Sequence, residues 1–119
     1  DGLVQMHLAE LSYRQQLAED PDSELAHSHL AGILFLMGGD SEQIIYHFQR
    51  AVELNPASVQ NHVNLIMALE GAGKIDEAIS TAETSIKYMQ NSGQNQAASQ
   101  LLQYLQRLHY KKIQSQQKQ

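Results

Sequence analysis

Of the six histidines in the chain, His27, His29 and His62 come nearest to a cluster, and Ser28, Ser41 and Ser80 are the serines that could be imagined as nucleophiles. Neither set is arranged for chemistry. His27 and His29 stand two apart, so on a helix they point to different sides, unlike a ligand pair at four-residue spacing. The chain has no cysteine, so no thiolate completes a metal site. No glycine-framed elbow surrounds any of the serines, and no spacing brings a histidine and an acid to them. The glycine pairs lack the lysine and the helix-opening context of a phosphate loop. The expectation is therefore no catalytic site, no metal and no cofactor, with the histidines serving as packing residues.

Composition narrows the remaining classes. The 119 residues carry a formal net charge of −5, and every Asp and Glu lies at or before Glu83, whereas Lys87, Arg107, Lys111, Lys112 and Lys118 follow it. An acidic body with a basic end is not the basic stripe that a nucleic-acid groove needs. Cations at the end of the chain suit the C-terminal dipole of a helix. The longest apolar run, Leu30 to Met37, is far short of the roughly 20 residues that span a bilayer. No signal peptide is visible. A soluble cytoplasmic or periplasmic protein is expected, and the lack of cysteine leaves the redox compartment open. Because the chain starts at Asp1, a leader or further domains can have preceded it.

The elements that must position any functional surface come from a repeat. Laying His27–Gly38 over His62–Gly73 gives a constant offset of thirty-five, with Leu30 over Leu65 and Leu34 over Leu69. Past the extra residue in Gly38-Gly39-Asp40 the offset becomes thirty-four, with Ile44 over Ala78 and Phe48 over Ala82. A period in this range marks a helical array whose units bury their apolar faces by stacking. Apolar residues at three- and four-residue steps predict a first helix from Leu3 to Ala18, stopped by Pro21, with Asp22 or Ser23 as the next cap. Ala9, Tyr13 and Pro21 lie thirty-five before Ile44, Phe48 and Pro56, so this helix is equivalent to the second helix of a unit. One complete unit follows with helices over 24–37 and 41–54, and another with helices over 57–71 and 75–89. A last helix from Gln94 to about Ile113, apolar on one face and glutamine-rich on the other, has the character of a cap. The tail beyond it should fray.

These positions resemble the tetratricopeptide repeat family. Its leucine and small residue in the first helix fall on Leu30-Ala31 and Leu65-Ile66, and its next large residue on Leu34 and Leu69. In the second helix its small, aromatic and small positions fall on Ile44, Phe48 and Ala51, and on Ala78, Ala82 and Ser85, while Pro56 and Pro21 match its terminal proline. The chain departs from the pattern where His27 and His62 replace a tryptophan, where Ile44 and Ile66 are large, and where Gln90 stands for a proline. The resemblance implies an all-α fold of antiparallel helix-pair repeats stacked as a right-handed αα superhelix with a C-terminal capping helix. It implies a single domain over 1–119: a partial repeat at 1–21, repeats at 22–56 and 57–90, a cap at 94–113 and a frayed tail at 114–119.

In this family the first helices line a concave groove, so the resemblance assigns a peptide-binding surface to Ser28, His29, Gly32, Phe35, Leu36, Val63, Asn64, Met67 and Glu70. Asn64 stands where many members hold a peptide backbone with an amide. The basic residues of the carboxylate-clamp subtype are not matched, and Phe35, Leu36 and Met67 suit a partly apolar peptide or helix. The expected role is a non-catalytic protein–protein interaction module whose partner the sequence does not identify. Two alternatives are a structural module that self-associates through the N-terminal helix, and an accessory domain of a larger enzyme.

Overall fold

The computed structural model describes residues 1–118, and among them all regular structure is helical. Six helices follow one another: α1 Gly2–Glu19, α2 Glu24–Leu36, α3 Ser41–Leu54, α4 Val59–Gly71, α5 Ile75–Asn91 and α6 Asn95–Gln117. Short polar side chains start α1 to α4 by accepting otherwise unpaired amide hydrogens, whereas α5 and α6 begin without a side-chain cap. Asp1 accepts from the Val4 amide at 2.9 Å, Ser23 from Ala26 at 3.2 Å and Asp40 from Glu42 at 3.1 Å. At the head of α4, Ser58 Oγ accepts from the Asn61 amide at 3.3 Å.

The helices end in two ways. After α2, α4 and α5 the chain turns through Gly38, Gly73 and Gly93 with φ of +69°, +79° and +76°, a conformation that a side chain disfavours. The residue after each glycine then donates back into the helix: Gly39 to the Leu34 carbonyl (2.8 Å), Lys74 to Leu69 (2.9 Å) and Gln94 to Met89 (2.8 Å). After α1 and α3 the chain leaves through Asp20 and Asn55, at φ of −139° and −144°, directly before Pro21 and Pro56. A proline restricts the residue before it to such extended geometry. The two kinds of turn alternate until α5, which meets no proline at Gln90 and runs on to Asn91.

The chain, expected as one repeat domain, divides into two compact units, 1–61 and 62–119. In the first, α1 packs on α2 and α2 on α3. Its core is built from Leu30, Leu34, Ile44 and Phe48 around Ala31 and Ala51, both without solvent exposure. Asn61 closes this unit, its Nδ2 donating to Glu24 Oε2 (2.8 Å) and to the carbonyls of Ala51 (3.1 Å) and Asn55 (3.3 Å). In the second unit α5 packs on α6, and Met89, Leu101 and Leu108 are fully buried. The last helix is longer than its sequence suggested. Residues 114–117, expected to fray, continue α6, because nothing helix-breaking occurs before Gln117. The end of the expected tail, Gln119, lies outside the described residues.

Candidate binding surface

On α2, the residues at spacings of three and four from Ser28 to Leu36 share one side of the helix. Phe35 is 53 % and Leu36 70 % exposed, while Ser28 and Gly32 are half-buried beside them. A Cβ placed on Gly32 would meet nothing within 4 Å, so the middle of this stripe is open. Leu25, 64 % exposed, extends the stripe by one turn towards the helix start. Leu25 was absent from the expected surface, although carrying the spacing one turn back from Ser28 and His29 would have found it. His29 is exposed, and its ring also lies 5.2 Å from that of Tyr13, so it contributes to the seating of α1 on α2.

The α4 residues divide. Met67 is exposed and Asn64 half-buried. Val63 is only 3 % exposed, so its isopropyl group is committed to packing and offers a partner little surface. Glu70 is occupied by α6: its Oε1 pairs with Arg107 Nη2 at 2.5 Å and its Oε2 with Lys111 Nζ at 3.1 Å. Burial raises the pKa of the Glu70 carboxyl, but hydrogen bonds and charge from Lys111 and Arg107 outweigh it, and the group titrates below its ordinary value. Glu70 is thus an anchor for the last helix. Sequence spacing alone placed it on the α4 surface without revealing its partner thirty-seven residues away.

Three of the histidines, His27, His47 and His62, are buried. His27 and His62 are 4 % and 5 % exposed. His27 Nε2 lies 2.7 Å from the Pro21 carbonyl and His27 Nδ1 lies 2.9 Å from His47 Nδ1, whereas His62 Nδ1 meets Ser85 Oγ at 2.6 Å. Two histidines at equivalent repeat positions therefore anchor to different residues of their second helices. His47, which the sequence did not single out, is buried as well. Its pKa is lowered to about 4 by burial, by His27 and by Arg14. Among the described residues no three His, Asp or Glu side chains converge to hold a metal ion, and no helix is long and apolar enough to cross a membrane.

The arrangement of short antiparallel helices joined by alternating turns has counterparts among solved structures. In fold, the chain is similar to MamA. One MamA crystal structure superposes with a TM-score of 0.62 at 20 % identity, covering 92 % of this chain and 67 % of MamA. A second gives 0.60 at 19 %, covering 88 % and 69 %. A structure described as MamA MSR-1 C2 gives 0.59 at 15 %, covering 91 % and 70 %. At these identities the likeness to MamA concerns the fold alone, an all-α helical repeat. No family model matches the chain, and no curated protein matches it.

Proposed function

We propose that the chain is a non-catalytic, tetratricopeptide-type interaction module that takes a partly apolar peptide or helix on the exposed side of its first helices. The observation that carries this reading is the α2 stripe, on which Leu25, Phe35 and Leu36 stay exposed around the open Gly32 while Leu30 and Leu34 of the same helix are buried. Apolar side chains grouped on one side of a helix are what a peptide or helix partner buries. Within the first unit Ser28 and His29 on α2 supply polar contacts, and within the second Asn64 and Met67 on α4 offer an amide and an adaptable thioether. Val63 and Glu70 serve the fold of the second unit.

The test selects peptides from a displayed library on the intact chain and compares affinity and thermal melts for wild type, Leu36→Glu and Asn64→Ala. The expected result is unchanged melting with binding weakened, by about 0.5–1.5 kcal/mol for the lost amide and by more for the charge placed among apolar contacts. Full affinity in both variants overturns the assignment.

A second reading, self-association through α1, is favoured by a separate observation. No residue of α1 is buried, and Leu3, Val4, Leu8 and Leu11 are all more than half exposed. Residues 1–61 carry nine acidic and two basic side chains, a balance of −7, whereas 62–119 carry four and six, a balance of +2. Copies that set the first unit of one against the second unit of another would gain from that difference. Sedimentation across concentration tests it: mass should rise with concentration in wild type and stay monomeric in Leu8→Glu, and a concentration-independent monomer in wild type excludes it.

A further inference from the structure

His27 and His47 form a contact whose proton inventory is fixed by its neighbours. The Pro21 carbonyl can only accept, so His27 Nε2 carries the hydrogen of that 2.7 Å bond. A neutral His27 then has a bare Nδ1, and the hydrogen of the 2.9 Å contact belongs to His47 Nδ1. The closed pair is thus held in one tautomeric arrangement, and through it α3 is tied to α2 and to the turn that ends α1.

Acid works against this arrangement in two steps. A first proton can reach only His47 Nε2 without breaking the contact, and there it adds charge in a buried place that already faces Arg14 of α1. A second proton must go to His27 Nδ1, which removes the only acceptor and sets two N–H groups and two charges against each other. The surrounding groups do not relieve this. Arg14 is itself held by Glu10 on α1 (2.9 Å) and by Gln43 on α3 (2.9 Å). Tyr46 of α3 meets both rings edge-on, with centroids 6.4 Å and 5.0 Å away, and Arg50 beside it is paired with Asp22 and Glu53. The ring nitrogens in the contact meet each other and a carbonyl, with no carboxylate among these partners.

We propose that the His27–His47 pair is an acid-operated latch, which holds the α1–α2 turn and α2 against α3 at neutral pH and releases them when both rings are protonated. The sign follows from proton uptake. The opened segment binds at His47 a proton that the closed one disfavours, so opening becomes easier as pH falls. His47 has its folded-state value lowered from 6.5 to about 4, so its share of the stability is complete above about pH 6.5 and is lost as pH falls from there towards 4. That one withheld proton makes opening about tenfold easier per pH unit within this window.

The experiment is hydrogen exchange of the whole chain at pH 7 and pH 5, corrected for intrinsic rates, on wild type and His47→Gln. Glutamine keeps an N–H for His27 Nδ1 and cannot be protonated. In wild type the amides of α2 and α3 should open at least tenfold more readily at pH 5, and in His47→Gln that acid response should shrink several-fold. An equal response in both proteins overturns the latch. Should His47→Gln fail to fold, nitrogen-15 shifts of the wild-type rings decide. His27 as the Nε2–H tautomer and His47 as the Nδ1–H tautomer, lost together with α2–α3 protection on acidification, support it. Rings that titrate freely near pH 6.5 while those amides stay protected overturn it.

Discussion

Glu24 at the head of α2 accepts a 2.8 Å hydrogen bond from Asn61 Nδ2, thirty-seven residues away. The same carboxylate accepts from Asn55 Nδ2 at 3.3 Å, so one acidic group gathers the start of α2, the end of α3 and the first turn of α4. Because Asn61 is 4 % exposed, water replaces these bonds poorly when the amide is lost. Asn61→Ala should therefore destabilise the chain by about 1–3 kcal/mol, read as a lower urea midpoint at constant slope. A midpoint within error of wild type would show that the amide is dispensable.

Ala51 has no solvent exposure, and its carbonyl is also a partner of Asn61. Ala51→Trp forces a large ring into filled space and should cost about 1–3 kcal/mol or more. A thermal melt equal to that of wild type would mean that the α2–α3 contact can open to accommodate an indole.

Gly32 gives the opposite expectation. It sits inside α2 at ordinary helical φ, and an added methyl meets nothing within 4 Å. Gly32→Ala should stabilise by about 0.5–1 kcal/mol, since glycine loses more conformational freedom on folding. Calorimetry should show a raised midpoint. A lowered one would reveal a neighbour at this position.

Glu70 joins α4 to the last helix through Arg107 and Lys111. Glu70→Gln should lower stability by roughly 1 kcal/mol, with a smaller difference at high salt, because both cations are about half exposed. The carboxyl titrates below its ordinary value, so its contribution is complete above about pH 4.5 and fades as pH falls through the lowered value. The variant and wild type should converge in acid. A difference that persists there would point to packing in place of charge.

Periodicity made the helices legible, because leucine and alanine spacing is dictated by what must be buried. Leu30, Ala31, Leu34, Phe48 and Ala51 are buried as their repeat positions imply. Prolines and glycines placed most turns for the same local reason. What the sequence did not show depends on side chains brought together over long separations. Glu70 with Arg107, Glu24 with Asn61, and His27 with His47 are ordinary surface-compatible residues until the fold makes them neighbours. Spacing alone did not show that Val63 is buried, since a residue on the rim of a helical stripe can fall to either side of the burial boundary.

The turn through Gly93 has a consequence for building with this chain. Along α1 to α5 a proline exit hands one unit to the next and a glycine exit folds a unit on itself, yet α6 is attached by a glycine exit. The alternation of exits therefore breaks at α5, and the break is written locally, in the residues from Gln90 to Gly93. Replacing Gln90–Gln94 with an exit copied from Asn55-Pro56 should restore the alternation and turn that position into a joint at which repeats can be spliced.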